Sequence, residues 1–210
     1  DLLRGRLTEA EIGCHLARDA ALARGQYSIL LTAEFTALRL AVLSGKTPDA
    51  ALERLRQTLK ENRQFLLLRS LDLCRAWLDA QRGRVCGDEW FMAPEADASF
   101  LNPVLPMVRT VQNEVLLASG AYTKLLARRD ACEALNEGLH TNLASLYLHI
   151  QLACAENRLG RTDAARRELE TACSIAVPDG LYLPFAEHAA YLGALLPEIF
   201  AGNAAAEAVL

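Results

Sequence analysis

The sequence predicts an all-α chain of stacked antiparallel helix pairs, and three observations carry that prediction. Hydrophobic residues make up 52% of the 210 residues, against only 6% aromatic residues and seven prolines. Abundant Leu and Ala in such a mixture favour helix over strand. Apolar residues also recur at helical spacing, as along 141–159, where Leu143, Leu146, Ile150, Ala153 and Cys154 form one stripe. Finally, Gly45, Gly83, Gly120 and Gly160 each close a periodic stretch, at spacings of 38, 37 and 40 residues. A glycine just past a helix takes the left-handed conformation that ends it, so a regular series marks a regularly repeated helix end.

About nine helices are expected in order, near residues 8–24, 27–44, 48–62, 64–82, 104–119, 121–137, 140–159, 162–176 and 184–200. Thr8 with Glu11 has the spacing of a capping box for the first. Thr47 and Thr162 are placed to cap the helices that follow Gly45 and Gly160, with Pro48 in a first turn. Between Gly83 and Ser99 the pattern fails, because Gly87, Pro94 and several acids interrupt it, and a loop is expected instead of a second helix. Tyr182 and Phe185 are expected to anchor the closing helix, with Pro178, Gly180 and Pro184 shaping the connection. One helical-repeat domain over 1–210 is the expected organisation.

Composition narrows the role. A formal net charge of −4 argues against this chain holding nucleic acid by itself. Six scattered cysteines without a CxxC pair read as small hydrophobes of a reducing, cytoplasmic compartment. No apolar run reaches the length of a membrane span. No P-loop, GxSxG, HExxH or Rossmann glycine pattern occurs, so no enzyme activity is expected and no cofactor is assigned to this segment. His15, His140, His149 and His188 lack a neighbouring Cys or carboxylate cluster at metal spacing and read as structural. Cys86, in the irregular loop beside Arg82 and Arg84, reads as an ordinary thiol. Arg128-Arg129 and Arg166-Arg167, interleaved with acids, read as mixed-charge solvated faces.

Residues 146–178 are similar to the tetratricopeptide pattern: Leu152 and Ala153 in a first helix, Gly160 at the turn, Ala165, Leu169 and Ala172 in a second, then Pro178. His149 and Glu156 stand where that pattern usually has aromatic residues, and the period exceeds 34 residues. Together with the closing segment Val177 to Ile199, this resembles the tetratricopeptide-like sensor region of MalT-like, LuxR-type transcriptional regulators. The resemblance implies a superhelix that receives a signal. It also implies that the chain is a fragment, with the ATPase region that precedes such a superhelix and the helix-turn-helix domain that follows it both absent. DNA would then be contacted only through the missing C-terminal domain, and the intact protein has room to form a homo-oligomer.

A superhelix of helix pairs lines its concave face with the first helix of each pair. Counting back from the turn glycines places Phe35, Arg39, Trp77, Gln81, Thr110, Glu114, Tyr147, Asn157 and Arg158 toward that face. Flat apolar surfaces mixed with directed donors and acceptors suit a small-molecule effector or a protein partner. The competing reading buries Phe35 and Trp77 between helices and solvates Arg39 and Arg158. Trp90, Phe91 and Met92 either form a lip over the groove or a satellite core that pins the loop. At the level of function, the alternative to a regulator's sensor is a tetratricopeptide-like protein–protein adaptor.

Overall fold

The computed structural model describes residues 1–85 and 90–209, and it is helical throughout, with no strand among the described residues. Cys86 and its neighbours through Glu89 lie outside the described residues. The chain divides into two compact units, one formed by Arg6–Arg82 with Asp1–Leu2 and the other by Gly83–Leu210 with Leu3–Gly5. The first unit holds α1 (Leu7–Arg24), α2 (Tyr27–Leu43), α3 (Asp49–Glu61) and α4 (Phe65–Gln81). Here α1 packs on α2, α3 on α4, and α2 on α4. The short helix α3 shows why: Leu52, Leu55 and Leu59 are buried on one face while Glu53, Arg54, Gln57 and Lys60 stand in solvent on the other.

In the second unit, short 3₁₀ turns over Trp90–Met92 and Pro94–Ser99 stand where the sequence predicts a loop, and a third follows over Asn102–Val104. There follow α5 (Leu105–Ala118), α6 (Tyr122–Leu126), α7 (Arg129–Gly138), α8 (Asn142–Arg158) and α9 (Thr162–Ala176). The chain closes with the short helices α10 (Leu183–Glu187), α11 (Ala189–Leu192), α12 (Leu195–Ile199) and α13 (Ala204–Glu207). Helix α8 is the hub, in contact with α5, α6, α7, α9, α10 and α11. Its Leu146, Ile150, Leu152, Ala153, Cys154 and Ala155 are fully buried, in one core with Leu117, Leu169 and Phe185. Each such Leu or Phe contributes about 1.5–3 kcal/mol by leaving water.

Among the described residues thirteen α-helices replace the roughly nine expected, because two expected helices are broken and a final turn is added. The stretch 121–137 breaks after Leu126, where the Arg128 N–H bonds the Leu125 carbonyl and tightens the turn before α7 restarts. The stretch 184–200 breaks at His188 and again at Gly193, whose φ of 54° and ψ of −126° only glycine adopts readily. At His188 the ring Nδ1 donates to the Pro184 carbonyl at 2.7 Å. A continuous helix needs that carbonyl for the His188 N–H, which bonds the Phe185 carbonyl instead.

All four marker glycines have positive φ, from 67° to 75°. The cadence is finer than glycine alone reveals, because Gly25, Arg63 (57°), His140 (52°) and Gly180 also end helices in the left-handed region. Around Gly25, Arg63, Gly120, His140 and Gly160 the hydrogen bonding is identical in form. The left-handed residue donates its N–H three residues back and the next residue donates five back, as from Gly160 to Asn157 and from Arg161 to Glu156. That next residue, Gln26, Gln64, Ala121, Thr141 or Arg161, is at once the last of one helix end and the N-cap of the following helix. Two or three residues therefore turn the chain.

This economy corrects three expected caps. The first helix is capped by Arg6, the third by Pro48 and the ninth by Arg161, none with a side-chain cap hydrogen bond. Thr8 and Thr162 already lie inside their helices, and Thr47 sits one residue too early. Where the turn itself sets the entry angle, a side-chain cap is not what starts the helix.

Arg63 and Gly160 occupy equivalent conformations with opposite side-chain demands. Arg63→Gly should raise stability by about 0.5–1 kcal/mol by relieving the left-handed backbone. Gly160→Ala, whose added Cβ would meet no atom within 4 Å, should cost about 1 kcal/mol from φ alone. Urea unfolding of the two variants checks both signs.

Candidate functional site

The nine expected groove residues fall into two groups. In the first unit, Phe35 and Arg39 on α2 meet Trp77 on α4: the Arg39 guanidinium lies 5.6 Å from the Trp77 ring centre and 5.8 Å from that of Phe35. Trp77 is buried, Phe35 and Arg39 half-buried. The cluster is a cation held against two aromatic faces, an arrangement worth roughly 0.5–2 kcal/mol. Gln81, one turn beyond Trp77, is also half-buried. Beside them the Cys74 thiol is pushed up to about 12, chiefly by burial, and is a packing group.

In the second unit the structure converges Glu114, Tyr147, Asn157 and Arg158 on one occupant, the chain's own segment from Leu183 to Leu192, while Thr110 reaches it only through Gln151. Tyr147 donates its hydroxyl to Glu187 at 3.0 Å. The Asn157 amide donates to the Tyr191 carbonyl at 2.8 Å and approaches that of Leu192 at 3.4 Å. Arg158 donates to the Ala190 carbonyl at 2.9 Å, and its guanidinium lies 5.1 Å from the Tyr191 ring centre. The expected groove face of α5 and α8 is thus covered by α10 and α11.

At the centre lies a polar network with no access to solvent. Glu114 Oε2 accepts from Gln151 Nε2 at 2.7 Å and faces His188 Nε2 at 3.0 Å, with His188 and Gln151 fully buried and Glu114 2% exposed. Gln151 also donates to the Thr110 carbonyl at 3.0 Å, while the Thr110 hydroxyl bonds back to Pro106. Both ring nitrogens of His188 face acceptors, a carboxylate and the Pro184 carbonyl. With Glu114 ionised, both carry hydrogen and the ring is an imidazolium. Burial opposes that charge, but the Glu114 carboxylate, the hydrogen bonds to Glu114 and Pro184, and nearby Glu187 outweigh it and raise the ring's pKa above its ordinary value.

Gln151 and His188 are the residues that sequence reasoning missed here. Gln151 carried a usable signal, since a lone amide between Ile150 and Leu152 in an apolar helix needs a buried partner. His188 carried none, because its partner Glu114 is 74 positions away. The structural reading of the histidines is sharpened for two of them: His188 pairs with Glu114, and His149 with Glu168 at 2.8 Å.

The solvated-face reading of Arg128-Arg129 is overturned. Arg129 on α7 reaches Glu168 on α9 at 2.7 Å, so with His149 on α8 three helices meet at one carboxylate. Arg128 is half-buried and bonds the Gln112 amide oxygen. Arg166 pairs with Glu198 at the exposed surface. Of the two readings of the loop aromatics, packing answers for Phe91, which is fully buried. Trp90 stacks on Phe100 at 5.5 Å and meets Phe91 edge-on at 6.0 Å. Met92, by contrast, lines a cavity.

Among the described residues no group of three His, Cys, Asp or Glu side chains could hold a metal ion. None of the described helices is long and apolar enough to cross a membrane.

Removing one member of a buried ion pair strands the other, so Glu114→Ala should lower unfolding free energy by about 3–5 kcal/mol. The pH dependence has a definite sign. A ring whose folded pKa is raised contributes fully below its unfolded value of about 6.5 and loses that contribution as pH rises through the folded value. The wild-type urea midpoint should therefore fall between pH 6.5 and pH 9, by more than in His188→Gln. Equal slopes in the two proteins would show that this ring does not drive the dependence.

No family model matches the chain, and neither a curated protein nor a solved structure does.

Proposed function

We propose that this chain is a recognition segment that receives a signal, its helix pairs stacked as a tetratricopeptide-like superhelix within a LuxR-type transcriptional regulator. Binding, rather than catalysis, is its work. The even cadence of left-handed helix ends supports the repeat, and the residues quoted from Val177 to Ile199 support the regulator.

One observation carries the recognition reading: Asn157 and Arg158 bind main-chain carbonyls of Ala190, Tyr191 and Leu192. Amide and guanidinium donors that hold peptide carbonyls are what a groove for a polypeptide needs, with side-chain pairs such as Tyr147 with Glu187 adding selectivity. The segment 183–192 acts as a resident occupant. An effector or partner that takes its place would shift the segment between docked and released states, and only a difference in affinity for the two states can do so.

The adaptor reading shares this groove and differs in its output. It is favoured by the same carbonyl contacts, because they recognise backbone rather than a particular small molecule. A regulator's effector must change DNA binding by the intact protein, whereas an adaptor's partner need not.

Two measurements test the proposal. In Asn157→Ala, amide exchange over 189–193 should accelerate about fivefold, equivalent to the loss of about 1 kcal/mol of hydrogen bonding. A metabolite set and a random dodecapeptide library should also yield a saturable ligand that deprotects 183–192 and binds less well to a chain carrying Tyr147→Phe. Unchanged exchange in Asn157→Ala, or ligands that all leave 183–192 protected, would contradict the proposal.

A further inference from the structure

A second site lies in the same unit, away from the closing segment, and does not rest on the proposed function. A cavity of about 690 Å³ opens between Met92 and Ala93 on one side and helices α5 to α7 on the other. Its polar lining is Arg109, Gln112, Lys124 and Arg128, and its apolar lining includes Met92 and Leu116. Among the described residues that line the cavity, three are cations and none is acidic.

The two guanidiniums converge on a single neutral atom. Arg109 donates to Gln112 Oε1 at 2.9 Å, and Arg128 donates to the same oxygen. The Gln112 amide is held in that orientation by donating its own N–H to the Phe91 carbonyl. Arg109 has a carboxylate partner in Asp97. The hydrogen bond that holds Arg128 goes to the neutral Gln112 amide. Burial first, and Arg109 nearby, push the Arg128 guanidinium below its ordinary value. Like charges gathered around one amide oxygen, with Lys124 across the space, are an arrangement that an anion relieves.

We propose that this cavity binds a small organic anion, with a phosphate or carboxylate group held by Arg109, Arg128 and Lys124 and an apolar body against Met92 and Leu116. A volume of 690 Å³ is within the usual range for small-molecule sites and far exceeds a bare phosphate. Met92 and Ala93, between the 3₁₀ turns Trp90–Met92 and Pro94–Ser99, form one wall of the site.

The test is titration calorimetry of the chain with hexyl phosphate, hexanoate, inorganic phosphate and hexanol. Hexyl phosphate or hexanoate should bind saturably, more tightly than inorganic phosphate, and hexanol should not bind. Which of the two anions binds tighter identifies the headgroup. Arg128→Gln and Lys124→Gln should each weaken binding at least tenfold, and Arg167→Gln, at an exposed position of α9, should leave it unchanged. Lys124 is exposed, so its variant keeps the fold if Arg128→Gln does not. Binding of hexanol equal to that of the anions, an equal loss in Arg167→Gln, or no saturable binding of either organic anion would overturn the proposal.

Discussion

The buried pair of Glu114 and His188 is the constraint on which the second unit turns. Moving two charges out of water costs several kcal/mol for each, and their attraction offsets this only when every remaining donor and acceptor is engaged. Here Gln151 and Pro184 supply partners to the two charges, and the Thr110 carbonyl holds Gln151 in place, although the Gln151 amide oxygen itself stays unpartnered. Because Glu114 stands on α5, Gln151 on α8 and His188 between α10 and α11, the network determines where the closing segment lies. It also accounts for the break in that segment, since the His188 ring takes the carbonyl that a continuous helix would use. An apolar seam would hold the segment as well, but with less demand for a particular register.

Against this specific contact stands a generic one, the short left-handed turn that recurs from Gly25 to Gly160. It brings each helix back beside its predecessor without side-chain caps, and the packing of α1 on α2 and of α8 on α9 follows from it. Arg63 and His140 show that the turn is imposed by tertiary packing, since both accept a backbone that their side chains disfavour.

Helices, their order and most of their ends were legible because each depends on local periodicity and on glycine at a left-handed position. Arg63 and His140 were not, since nothing in their residue type announces a positive φ. The broken closing helix was equally hidden, because Pro184 and Gly193 are only half the cause and the other half is the His188 ring. Of the expected groove residues, Tyr147, Asn157 and Arg158, counted from Gly160, all reach the closing segment. That the face is covered by the chain itself could not be counted, because it depends on contacts 32 to 74 positions apart. The cationic cavity was misread for the same reason: Arg128 beside Arg129 looks like a solvated pair until the break after Leu126 turns one inward.

The central claim is that a fully buried imidazolium at residue 188 secures the closing segment through Glu114. Nitrogen NMR of the histidine side chains at pH 7 tests it most directly. The account predicts that both ring nitrogens of His188 are protonated and that their hydrogens exchange slowly with water. A neutral His188 ring with one bare nitrogen at that pH would contradict it.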